Sequence, residues 1–191
     1  MSFYAHPTAV IDEGCSIGSG ARVWHFSHLM AGSIIGQNCV IGQNVFIATG
    51  VELGQNVHVQ NNVSLYEGVR CEDDVFLGPS MVFTNIKNPR SAVSRKGQYQ
   101  QTIIRKGATI GANATIICGI EIGSYALIGA GSVVTRSVPP HALVTGNPAR
   151  QAGWVSRYGH KLHFTEEGRA SCPETGEAYQ LQFNTVNPVV S

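Results

Sequence analysis

The chain has 191 residues, with 13 Lys and Arg against 12 Asp and Glu and a net charge of +1. Charged residues at 13% and a near-neutral balance exclude an electrostatic nucleic-acid binder, which needs a clustered basic face. Hydrophobic residues at 43% exclude a mainly disordered chain. No run approaches the length of apolar sequence a membrane helix needs. The opening Met1-Ser2-Phe3-Tyr4-Ala5-His6 has no basic stretch followed by an apolar one, so no signal peptide is expected. Five cysteines, an odd number without a paired motif, suit a reducing cytoplasm and the role of small buried hydrophobes.

From Ile11 an apolar residue recurs at every sixth position: Ile17, Val23, Leu29, Ile35, Ile41, Ile47, Leu53, Val59, Leu65, Cys71, Leu77 and Phe83. The series resumes at Ile104 and continues through Ile110, Ile116, Ile122, Ile128 and Val134. Four residues after each start sits a small or compact residue, as at Ala21, Ser27, Cys39, Val45 and Val63. A glycine often follows the start, as at Gly18, Gly36, Gly42, Gly54 and Gly78. A helix cannot use this pattern, because a period of six drifts around a turn of about 3.6 residues. A triangular prism can. Each hexad supplies a short strand and a corner, three hexads close a coil of 18, and the apolar start points inward. Gly and Asn suit the corners, where positive φ is tolerated. The hexads predict about six coils, each stacking only on its neighbours.

Between Phe83 and Ile104 the spacing is not a multiple of six, so a loop over about 86–103 must leave the prism. It carries Lys87, Arg90, Arg95 and Lys96, and long loops in compact domains are usually functional. Pro139 and Pro140 end the regular repeat. Residues 1–152 read as one unit and 153–191 as a small appendage. In it, Trp154 to Gly159 and Ser171 to Gly176 are similar to the two knuckles of a zinc ribbon. Ser156, Tyr158 and Thr175 stand where thiolates would be wanted, leaving only Cys172; a metal-free β-hairpin cap is expected, since zinc prefers a closed four-ligand site.

Residues 18 apart should stack about 4.8 Å from coil to coil. That lists neighbours without a structure: His25, Gln43, Asn61 and Pro79 in one column; His28, Phe46, Ser64 and Val82 in another; Glu67 beneath Asn85, at the root of the long loop.

The repeated Ile-Gly hexads resemble the hexapeptide-repeat acyltransferases. That resemblance covers roughly 8–152 and implies an all-β, left-handed parallel β-helix; the hand comes from it alone, as an exception to the usual right-handed crossover. The exit segment Gly146-Asn147-Pro148-Ala149-Arg150 resembles that of coenzyme-A-dependent members. The stretches 22–28, 61–70 and 76–85 resemble a bacterial subgroup that acetylates UDP-2-acetamido-3-amino-2,3-dideoxy-glucuronate for surface polysaccharide such as lipopolysaccharide O-antigen. The resemblance implies transfer of acetyl from acetyl-CoA to the 3-amino group, no metal, and a homotrimer with each site between two prisms. The place of Asn85 at the root of the long loop makes it the candidate to orient the attacking amine, with the CoA thiolate as the favoured proton acceptor. Trp24, His25, His28, Asn61, Asn62, Tyr66, Glu67, Thr84 and Arg90 become candidate sugar-nucleotide contacts. Ala112 and Ala130 look like contacts along the pantetheine arm, and Thr135, Arg136 and Arg150 like those near the adenine and phosphates.

His25 and His28 compete as general bases, since histidine titrates near neutrality. Two other readings stand beside this one: an acetyltransferase for another nucleotide amino sugar, and a zinc enzyme of the carbonic anhydrase type on the same fold. The latter needs three converging histidines, whereas the positions 18 after His25 and His28 are Gln43 and Phe46.

Overall fold

A computed structural model describes residues 2–189. The hexads become two-residue strands in three parallel sheets. The first face runs from Tyr4–Ala5 to Leu127–Ile128, the second from Val10–Ile11 to Val133–Val134, and the third from Ser16–Ile17 to Glu121–Ile122. The architecture is the all-β, left-handed parallel β-helix that the period and the resemblance predict. Strand register is 18 for most of the stack, as in Arg22↔Val40 and Ser64↔Val82. It jumps to 33 across the loop, where Phe76 pairs with Thr109.

The stack is two sides longer than the hexads suggested. Tyr4–Ala5 adds a strand before Ile11, and Leu127 pairs with Leu143, a spacing of 16 that lets the chain complete one more side past the two prolines. A six-residue template cannot register a side two residues short.

Inward positions are dry. Ile41, Val59 and Leu77 are 0% exposed, and the starts from Val23 onward are all buried. Removing such a side chain from water stabilises by roughly 1.5–3 kcal/mol. Ile11 and Ile17, near the open end, are only half-buried. Ser27 satisfies its buried hydroxyl by donating to the Gly42 carbonyl at 2.7 Å and accepting from the Val45 N–H at 3.1 Å. All five cysteines are free thiols, and burial pushes those of Cys39 and Cys71 up.

Where a glycine follows the start, it has a steric cause. A Cβ on Gly36 would lie 2.1 Å from the Gly54 carbonyl oxygen one coil away. Corners place one residue at positive φ, mostly Asn or Gly, and three aromatic-ring exceptions are Phe26, Tyr125 and His141.

Loop and tail complete the chain. The excursion ends at the strand Thr102–Ile104, which pairs with Val69–Cys71. Past the paired strands Ala142–Gly146 and Ala149–Trp154, the tail forms three antiparallel strands, Arg169–Ser171, Ala178–Gln182 and Thr185–Pro188, one more than a hairpin. It docks through Tyr179, 0% exposed, whose ring meets His141 at 5.6 Å while His141 stacks on Tyr125 at 5.2 Å. The Tyr179 hydroxyl donates to Glu177 and accepts the Arg157 N–H; burial first, then Glu177, pushes it up to about 12.

Gly36→Ala should lower stability by about 1–3 kcal/mol, the range for overpacking, or prevent folding outright. Gly50→Asn should cost less, since nothing lies near a Cβ there; urea unfolding reads both. His141 is held below the usual histidine range by burial and by the Arg157 charge, against the Val155 carbonyl and Glu177. Below about pH 6.5 the unfolded chain therefore takes up a proton that the folded chain refuses, and stability falls with acidification. The fall in Tm from about pH 7 to 5 should be shallower in His141→Gln than in the wild type.

Candidate functional site

The prism has three edges, and the candidate residues occupy two of them. The front edge joins the first face to the second and holds the column His25, Gln43, Asn61, Pro79, Ala112, Ala130. The loop edge joins the second face to the third and holds Glu67 and Asn85 and, two coils past the loop, Arg136.

At the open end, the front edge is aromatic. His25 stacks on His6 with centroids 3.5 Å apart and lies nearly parallel to Trp24 at 6.2 Å, while Tyr4 meets Trp24 edge-on at 5.6 Å. Burial and the neighbouring His25 lower the His6 pKa. Phe26, with φ of 57°, stays 61% exposed beside them and donates its N–H to the Thr8 hydroxyl at 3.1 Å. His6 escaped the sequence reading, yet the 18-residue offset from Trp24 points to it. Stacked rings of this kind do not aim three nitrogens at one metal.

On the second face, His28 Nε2 lies 3.1 Å from Asp12 Oδ1 and its ring sits over Phe46 at 5.9 Å. Phe46 in turn touches Tyr66 at 6.2 Å, linking the histidine to the loop edge. Both histidines of the competing-base reading thus already have neighbours, an acid for one and rings for the other.

Along the front edge, Asn61 and Asn62 serve the corners. Asn61 Oδ1 accepts the Gln43 N–H at 2.8 Å, and Asn62 Oδ1 accepts from Asn44 Nδ2 at 3.0 Å. The same device recurs where Asp73 Oδ1 accepts the Gln55 N–H at 2.8 Å. At Ala112 it cannot recur, because the residue one coil on is Ala130, which has no side-chain acceptor, and past Ala130 comes Gly146. The two alanines leave a small-residue track flanked by backbone N–H groups, which suits an extended amide-bearing chain.

On the loop edge, the Asn85 carbonyl accepts the Gln100 N–H at 3.0 Å, closing the root of the excursion. Its side chain is half-buried, with exposed Glu67 one coil away. The Thr84 hydroxyl accepts the Cys118 N–H at 2.9 Å, so it anchors the next coil. Arg90 is exposed and donates to the Pro89 carbonyl at 2.9 Å. Thr135, Arg136 and Arg150 line one cavity of about 210 Å³ with Ser137 and Gln151. The two guanidinium groups on this one cavity have the chemistry to bind phosphate oxygens.

The third face is different in kind. Its outward residues include Glu52 and Arg70, paired at 3.1 Å, and Glu121, which shares Arg105 with Glu72 at 2.7 Å each. Hydrogen bonds from Arg105 hold both carboxyls below the usual range. Outward residues of the first two faces are mostly uncharged: Tyr4, Val40, Phe76 and Leu127 on one, Val10, Phe46, Val82 and Val133 on the other.

In the tail, burial pushes the Cys172 thiol up, but the Ser156 and Thr175 hydroxyls and the N–H groups of Thr175 and Glu174 outweigh it and bring the thiol down to about 7. The Ser156 oxygen accepts the N–H groups of Tyr158 and His160 at 3.2 and 3.3 Å, as a knuckle thiolate would. Tyr158 does not join them; its ring is 63% exposed, and only its backbone faces the cluster. Among the described residues no three His, Cys, Asp or Glu side chains gather as a metal site.

Comparison with known proteins matches these features. The profile described as bacterial transferase hexapeptide (six repeats) matches residues 14–49 and 101–136, and that of the hexapeptide repeat of succinyl-transferase matches 33–67. The chain is 43% identical over 187 residues, 98% of its length and 95% of the relative's, to dTDP-3-amino-3,6-dideoxy-alpha-D-galactopyranose 3-N-acetyltransferase of Aneurinibacillus thermoaerophilus. It is 31% identical over 153 residues to the bifunctional protein GlmU of Thermotoga petrophila, covering 77% of this chain but 30% of that one. A hexapeptide-repeat acetyltransferase of Vibrio cholerae O1 biovar eltor, solved with acetyl coenzyme A, superposes with a TM-score of 0.58 at 26% identity, covering 65% of this chain and 72% of that one. Among the described residues no helix is long and apolar enough to cross a membrane.

Proposed function

The chain belongs to the hexapeptide-repeat acyltransferases, and on that premise we propose that it transfers acetyl from acetyl-CoA to the 3-amino group of UDP-2-acetamido-3-amino-2,3-dideoxy-D-glucuronate. The broader statement, that it is an acetyl-CoA-dependent N-acetyltransferase of nucleotide-linked amino sugars, stands on the family and its whole-length relative. The observation that carries the finer one is that this relative acylates a 3-amino group on a nucleotide-linked sugar. Position 3 is common to both sugars; the uronate and the uridine come from the resemblance of residues 22–28, 61–70 and 76–85. A cytoplasmic place in O-antigen sugar synthesis belongs to the same reading.

Acetylation of an amine needs a neutral nitrogen with its lone pair aimed at the thioester carbonyl. Such an amine has a pKa of roughly 8, so a useful neutral fraction exists near pH 7. Positioning then matters more than a strong base and is worth about 7–11 kcal/mol in favourable cases. In this reading Asn85 Oδ1 accepts a hydrogen bond from the amine and fixes its direction. The new N–C bond forms as the C–S bond breaks, and the departing thiolate takes the amine proton to leave as coenzyme A. Ala112 and Ala130 would receive the pantetheine arm, and Thr135, Arg136 and Arg150 its nucleotide end.

The site is proposed to be shared within a homotrimer. Asn85 and the alanine track lie on opposite edges of the second face, so one prism cannot bring them to the same substrate. A neighbour's front edge against this chain's loop edge can. The mostly uncharged first and second faces suit such contacts, while the ion-paired third face suits solvent.

Asn85→Ala should lower kcat by about 100-fold with KM for acetyl-CoA little changed and the assembly intact by sedimentation; turnover near wild type would remove the assignment. Asn85→Ala should also complement an inactive front-edge variant such as Ala130→Trp. Refolded together in equal amounts, the two should regain about one working site in four, whereas a site within one chain would regain none.

A further inference from the structure

The excursion carries Lys87, Arg90, Arg95 and Lys96, and no Asp or Glu occurs between residues 86 and 101. It folds on itself through an antiparallel bridge of Arg90 with Val93 and a Gln98 N–H donated to the Arg95 carbonyl at 3.0 Å. The fold shapes an open pocket of about 520 Å³ lined by Ile86, Pro89, Arg90, Ser91, Val93 and Arg95. Arg95 Nε is buried with no hydrogen-bond partner among the described residues, and Arg95 Nη1 has only a long 3.4 Å bond to Gln98 Oε1. A buried donor on a charged group is the most unfavourable kind to leave unmatched. A loop serving only as a solvated link would keep that nitrogen in water.

Two guanidinium groups, those of Arg90 and Arg95, on the lining of an acid-free open pocket match the oxygens of a carboxylate or phosphate. We propose that this cavity is an anion subsite, in which Arg95 with Arg90 holds a carboxylate or phosphate group of the sugar nucleotide. The inference rests on the function proposed above and extends it, because the loop starts at Ile86, next to Asn85, and closes on the Asn85 carbonyl. Two groups on that substrate have this chemistry, the C6 carboxylate and the diphosphate. The phosphates of coenzyme A have a separate match in the cavity of Thr135, Arg136 and Arg150.

The test is steady-state kinetics of the full chain and its Arg95→Gln variant with three substrates varied in turn: the 3-amino uronate nucleotide, its 6-deoxy counterpart and acetyl-CoA. Lys96→Gln, an exposed change outside the cavity lining, is the control. Arg95→Gln should raise KM for the uronate at least about tenfold, with unchanged Tm, an unchanged KM for acetyl-CoA and no effect of Lys96→Gln. A rise confined to the uronate identifies the carboxylate; an equal rise for the 6-deoxy sugar identifies the diphosphate. Unchanged KM for both sugars, or a rise confined to acetyl-CoA, overturns the proposal. If the wild type acetylates neither sugar, the proposed activity fails by itself, and calorimetry with UDP and with glucuronate decides the subsite. Binding of either that is lost in Arg95→Gln upholds it; binding unaffected by the substitution, or absent from the wild type, overturns it.

Discussion

Everything in this molecule depends on burial that no coil can achieve alone. A side of the prism offers two strand residues and one inward apolar side chain, too little to fold by itself. Stacked, each inward residue is covered by those one coil above and below, and the core becomes a continuous column of aliphatic side chains. The half-burial of Ile11 and Ile17 shows what happens where a neighbour is missing. At the other end the tail supplies the cover, through Tyr179 against His141. Register cannot slip by one residue, since that would turn every inward side chain outward at once.

The same closure makes the three edges unequal. Every corner demands a residue at positive φ, and Asn or Gly meets it at little cost. The aromatic exceptions are informative because their conformation is unfavourable in isolation. Tyr125 and His141 stack on each other and receive the tail, so contact offsets their strain. Phe26 has the same backbone conformation but remains 61% exposed, on the edge that also holds His25 and the alanine track. An edge is where a solenoid meets something else.

Much of this was legible in the residue order, for one reason: a fixed period converts distance along the chain into distance in space. The stacking of His28 on Phe46 and the place of Glu67 beneath Asn85 follow from an offset of 18. Legibility stops where the period does. The last coil, shortened to 16, hid one side behind two prolines. The tail has no repeat, so its third strand left no signal, and the spacing that puts Tyr158 at a knuckle position does not say where its ring points. The loop's interior is of the same kind: its charges can be counted in the sequence, but the burial of Arg95 Nε is a property of the fold.

That division bears on the chemistry. A prism built from repeats supplies rigid edges and a track for an extended coenzyme, features that any member of the family can keep while its sugar changes. On the proposed reading, the groups able to distinguish one amino sugar from another lie in the excursion after Asn85, which leaves the repeat, and in the aromatic first coils. Candidate bases on the repeat itself have other engagements, His28 with Asp12 and His25 with His6. An amine that is partly neutral at physiological pH has little need of them. On the proposed reading the demand that remains is geometric, and it would fall on the Asn85 amide at a corner, where the backbone on one side is locked into the stack and on the other is closed by the Gln100 N–H.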